Sequence, residues 1–140
     1  MLFGFIGFSQ TTPTAVTPDA YISEPYYKVI WGTTADTLTN ADTLTFVYRV
    51  RGSQTMDINM KLYNDRISGT VAGTLISYQS IDGVNYEATG DTITVSTASD
   101  AMDSEELDLD NFNYPYLKLI FLQSGTSVEV PKVFVYGKYN

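Results

Sequence analysis

The sequence predicts an all-β fold, an antiparallel β-sandwich of jelly-roll or immunoglobulin-like type with an N-terminal arm, and three observations carry that prediction. Several segments alternate apolar and polar residues with a period of two, the pattern of half-buried strands. Turn signals rich in Gly, Asn, Asp and Ser separate them, and no stretch sustains an apolar period of 3.6 residues. Eleven Tyr, seven Phe and recurrent Thr and Val favour pleated surfaces. At 140 residues the chain suits one core.

Residues 1–25 are expected to form an arm and linker. Leu2, Phe3, Phe5, Ile6 and Phe8 are too apolar to stay in water, so they dock on this domain or on a neighbour, or supply a first strand of the sandwich. The following T-T-P-T-A-V-T-P-D-A discourages regular pairing through its two prolines. The start of the chain lacks the basic region and cleavage site of a secretory signal and is too short an apolar run to cross a membrane.

Residues 26–140 are expected to hold the sandwich. Tyr26 to Thr34 reads as a strand carrying the single tryptophan, Trp31, as core filler. After the turn T-N-A-D, Thr43 to Arg51 alternates, with Leu44, Phe46, Tyr48 and Val50 on one face. Gly52 and Ser53 then read as a hairpin corner leading to a strand with Met56, Ile58, Met60 and Leu62 inward and Asp57, Asn59 and Lys61 outward. A further turn is expected at N-D-R-I-S-G.

The stretch S-Y-Q-S-I-D-G-V-N-Y-E places Asp82-Gly83 between two strands, as a tight turn that uses a positive φ. Asp91 to Thr97 alternates again, and Leu117, Leu119 and Phe121 precede the turn Q-S-G-T-S and a last strand. Pro131 cannot donate to a ladder, which places that last strand at an edge or at a bulge.

Several chemistries are excluded or disfavoured. There is no cysteine for disulfides or thiolate metal sites and no histidine for general-base work or zinc ligation. A net charge of -8, from 16 acidic and 8 basic residues, opposes binding to nucleic-acid phosphates. The run D-A-M-D-S-E-E-L-D-L-D-N gathers Asp100, Asp103, Glu105, Glu106, Asp108 and Asp110, but it lacks the glycine and spacing of an EF-hand and reads as a solvated loop or short helical turn. Asp82 with Glu87, or members of the acidic run, supply carboxylates, yet no spacing selects a pair at the roughly 5 to 9 Å that glycosidases use. No catalytic, cofactor-binding or metal-ligating residue is therefore assigned. Tyr78, Tyr86, Tyr114 and Tyr116 are candidate glycan contacts, since aromatic faces stack on sugar rings; equally, tyrosines fill cross-strand positions and subunit contacts.

Three segments read together, N-A-D-T-L-T-F-V-Y-R-V-R-G, S-G-T-V-A-G-T-L-I-S-Y-Q-S-I-D-G-V-N-Y and Y-P-Y-L-K-L-I-F-L-Q-S-G-T-S-V-E-V-P-K-V-F-V-Y-G-K, resemble small virion structural proteins of tailed bacteriophages, including those of the crAss-like kind. The resemblance runs from Asn40 to the carboxyl terminus. It implies an auxiliary or decoration capsid component or a head-fibre or tail adaptor, without enzymatic activity or cofactor. The implied partners are capsid, portal, tail or fibre subunits and copies of itself, with no nucleic acid and no membrane. The S-x-D-G-x-N-Y turn is also similar to turns in discoidin-like and other carbohydrate-binding sandwiches, where Asp82, Gly83 and Tyr86 would be architectural. The bridging cysteine pair usual in discoidin domains is absent here.

Overall fold

The computed structural model describes residues 20–22, 26–30, 37–50, 55–97 and 105–139. Ten strands run through them: β1 (Ala20–Ile22), β2 (Tyr26–Ile30), β3 (Leu38–Thr39), β4 (Thr43–Val50), β5 (Met56–Ser68), β6 (Val71–Ser80), β7 (Glu87–Thr97), β8 (Glu105–Phe112), β9 (Tyr116–Gln123) and β10 (Val128–Tyr139). One sheet has the order β1-β4-β9-β6-β7, the other β2-β10-β5-β8, with β3 pairing β10 beside that path.

The pairings are nested. β2 pairs antiparallel with β10, β4 with β9, β5 with β8 and β6 with β7, so the first half of the chain folds back on the second as one long hairpin. Lateral pairings of β5 with β10 and of β6 with β9 close the two sheets. This rolled hairpin is the jelly-roll form of the antiparallel sandwich. The turn at Asp82-Gly83 is its innermost corner. The short β1 joins β4 in parallel, the single parallel pairing among the described strands.

The core follows from alternation. Met56, Ile58, Met60 and Leu62 of β5 face Phe46 and Tyr48 of β4 and Leu117, Leu119 and Phe121 of β9 across the interior, with Leu75, Ile93, Val133 and Val135 filling the neighbouring positions. Each such aliphatic side chain contributes about 1.5–3 kcal/mol on leaving water. The N-A-D turn also forms as the spacing predicts. Asn40 and Ala41 both take positive φ, 51° and 65°, and the Asn40 N–H donates to the Ser127 carbonyl at 3.1 Å.

Three local expectations are corrected. Gly52 and Ser53 lie outside the described residues, but the strands that they link, β4 and β5, belong to opposite sheets and do not form a hairpin. The segment N-D-R-I-S-G is not a turn from its start: β5 continues to Ser68, because Asn64, Asp65 and Arg66 pair with Pro131, Val130 and Glu129, and the reversal comes at Gly69. The acidic run is a strand from Glu105 onward, since Leu107, Leu109 and Phe112 enter the core while Asp108 and Asp110 point to solvent.

Pro131 sits in β10, which lies inside its sheet rather than at an edge but does carry a register shift, between Val128 and Glu129, as the second of the two expected alternatives has it. It is tolerated because β3 reaches only Val128 and Glu129 and β2 only Val133 to Gly137, so on that side the described ladder skips Pro131. The arm residues Leu2, Phe3, Phe5, Ile6 and Phe8, together with Trp31 and Asp100 and Asp103, lie outside the described residues.

Candidate functional site

The β6–β7 turn is built around the Asp82 carboxylate. Its Oδ1 accepts from the Ser80 hydroxyl at 3.0 Å and from the amides of Val84 and Asn85 at 2.8 Å each, and Oδ2 accepts from the Asn85 side chain at 2.8 Å. The Asn85 and Val84 amides, with the Asn85 side chain, hold the Asp82 carboxyl well below the usual carboxylate range. The Ser80 hydroxyl in turn accepts the Gly83 N–H at 3.0 Å. A loop whose polar groups are consumed internally in this way is a fixed corner.

That corner folds down over the outer face of the sheet. Gly83 is buried at a φ of 74°, and a Cβ there would stand 2.9 Å from the Tyr116 ring. Register places Arg49 of β4 beside Tyr116 of β9, and Lys118 of β9 beside Tyr78 of β6. The Arg49 guanidinium lies 4.4 Å from the Tyr116 ring centre and donates to its hydroxyl. Lys118 lies 3.9 Å from the Tyr86 ring centre and 5.2 Å from that of Tyr78. Burial lowers the Lys118 pKa. The Tyr86 hydroxyl is enclosed without a hydrogen-bond partner, and burial, with lesser contributions from Tyr116 and Asp82, raises its pKa.

Between this turn and the loop joining β8 to β9 lies an open cavity of about 300 Å³. Ile81, Asn85 and Tyr86 of the turn form one side, and Tyr114 faces them. Gln79 and Glu87 come from the ends of β6 and β7. Glu87 Oε1 accepts from the Tyr114 hydroxyl at 3.0 Å and from Gln79 Nε2 at 3.1 Å. The bond to Glu87 and its charge raise the Tyr114 pKa. Tyr114 also packs on Phe112, ring centres 5.9 Å apart, which anchors the loop to the core.

The four tyrosines singled out in the sequence thus gather at one end of the sandwich, in two roles. Tyr78 and Tyr116 stand on the sheet against Lys118 and Arg49, whereas Tyr86 and Tyr114 line the cavity. Sequence reasoning missed Lys118, Gln79, Asn85 and Ile81. The S-x-D-x-x-N spacing carried the Asn85 signal, because a carboxylate two residues after a serine and three before an asparagine can bond both. Elsewhere Asp57 accepts the Asn111 N–H at 2.9 Å where β8 bulges, and Asp108 accepts from Asn59. Among the described residues no group of three or more acidic, His or Cys side chains is placed to hold a metal ion.

No protein-family model matches the sequence, and no curated protein matches it. Solved structures are similar to it. The VP2 subviral particle protein of infectious bursal disease virus superposes with a TM-score of 0.50 at 15% identity, covering 98% of this chain and 37% of that one. A non-crystalline-cellulose-specific carbohydrate-binding module, CBM28, gives 0.43 at 14% identity over 74% of this chain and 73% of its own. TmCBM61, solved with β-1,4-galactotriose, gives 0.41 at 11% identity over 81% and 82%. The chain spans about a third of the viral proteins, between 31% and 37% of their length. The β-sandwich is therefore an architecture shared with viral capsid protein.

Proposed function

We propose that this chain is a non-enzymatic structural domain of a virion, an auxiliary or decoration component of a tailed-bacteriophage capsid or a head-fibre or tail adaptor. The β-sandwich carries the reading, as the fold shared by this chain, in nested jelly-roll form, and the capsid protein it matches over 98% of its length. The tailed-phage attribution, including its crAss-like form, rests on the resemblance of the three motif segments. A chain without histidine or cysteine, whose Asp82 is spent on its own turn, supports the absence of catalysis.

Assembly proceeds through the apolar residues Leu2, Phe3, Phe5, Ile6 and Phe8 and through sheet edges, with copies of the chain and other virion proteins as partners. The net charge of -8 argues against nucleic acid as a partner. The test is light scattering on size-exclusion-separated protein, for the full chain and for a Phe3→Ser, Phe5→Ser, Phe8→Ser variant. A stable oligomer that the triple variant dissociates supports the reading. A monomer in both cases that also ignores purified capsids would sink it.

A second reading, recognition of a surface glycan by a virion module, is favoured by one observation: Tyr86 and Tyr114 meet across the cavity beside Gln79, Asn85 and Glu87.

A further inference from the structure

The cavity between the β6–β7 turn and Tyr114 has the chemistry of a sugar subsite. Ile81 is 76% exposed and lines the cavity with the Tyr114 ring. A pyranose offers C–H faces to such surfaces and hydroxyls at its rim. The hydroxyls meet acceptors. Glu87 Oε2, Asn85 Oδ1 and Gln79 Oε1 have no hydrogen-bond partner among the described residues, while the opposite atom of each group is tied down. These side chains are therefore oriented before any ligand arrives, which lowers the ordering cost of binding.

Charge narrows the class. Asp82 and Glu87 both border the cavity, and Lys118 is turned to Tyr78 and Tyr86 rather than contributing to the lining. A carboxylated or sulfated sugar would be repelled. The volume of about 300 Å³ stands at the lower end of ligand pockets and suits one or two rings. Deepening the glycan reading above, on which it rests, we propose that this cavity binds a short neutral saccharide, with Tyr114 and Ile81 against the ring and Glu87 and Asn85 accepting its hydroxyls.

The experiment is amide chemical-shift titration of the full chain with lactose, cellobiose and maltose, and with sialyllactose and an arginine-containing peptide as contrasts. It is repeated on Glu87→Ala and on Tyr78→Phe, each checked for native dispersion. Expected are saturable shifts at residues 81–87 and 114 with a neutral disaccharide, about tenfold weaker binding in Glu87→Ala, and no change in Tyr78→Phe. Saccharide shifts that map elsewhere, or that survive Glu87→Ala unchanged, overturn the cavity assignment and leave glycan recognition standing. No shift with any saccharide removes both, and a preference for sialyllactose or for the arginine peptide overturns the ligand class.

Discussion

Replacing Gly83 with alanine introduces a methyl group where the turn meets the sheet. At a φ of 74° the alanine backbone is strained by about 1–2 kcal/mol. The new Cβ also falls 2.9 Å from one Tyr116 ring atom and 3.1 Å from two more. Overpacking of this kind costs about 1–3 kcal/mol, and the lower half applies because a ring edge can tilt where backbone cannot. Restricting the unfolded chain returns about 0.5 kcal/mol. The sum is a destabilisation of about 2–3 kcal/mol, measured by urea denaturation followed by circular dichroism. In a Tyr116→Ala background the steric part disappears, so the same change should cost only about 1 kcal/mol. A loss below about 1 kcal/mol in the parent chain, or equal losses in both backgrounds, would refute the packing of this turn on Tyr116.

Three further outcomes follow from buried or strained positions. Glu129 is fully buried, and burial raises its pKa against the opposing bonds from Gln123 and Ser127, so its stabilising contribution is complete below about 4.5 and is lost as pH rises through the raised folded value. Glu129→Gln should therefore match the parent near pH 4 and exceed it as pH rises through the raised folded value, the difference then staying constant, in thermal melts; a difference that does not vary with pH contradicts this. Asn64 is 2% exposed with neither side-chain polar atom bonded, so Asn64→Val should gain about 1–2 kcal/mol in denaturant titration, and a loss would show that the amide is satisfied in solution. Ala41 holds a φ of 65°, and Ala41→Gly should gain about 0.5–1 kcal/mol; a neutral or negative effect would mean that the turn relaxes.

Legibility followed sequence distance. Alternation in β5 marked the inward residues because a strand buried on one face writes its period locally, whereas in β4 Val47 on the opposite face is buried as well. The nested order was not legible, because Ile30 finds Val133, and Thr43 finds Leu122, by pairings that no local pattern encodes. Charge misled at β8, where the count of acids hid the Leu107 and Leu109 alternation. Pro131 pointed to an edge or a bulge, and the interior place of β10 was not legible because it depends on where β2 and β3 stop. At the candidate site the tyrosines stood out by type, but their division depended on register: Lys118 opposite Tyr78, and the turn closing on Tyr116.

Cryo-electron microscopy of purified virus particles tests the proposed virion role most directly. That role predicts the jelly roll in symmetry-related copies on the particle, its sheet edges or apolar N-terminal residues held by neighbouring subunits. Complete particles in which every subunit is assigned to other chains would contradict it.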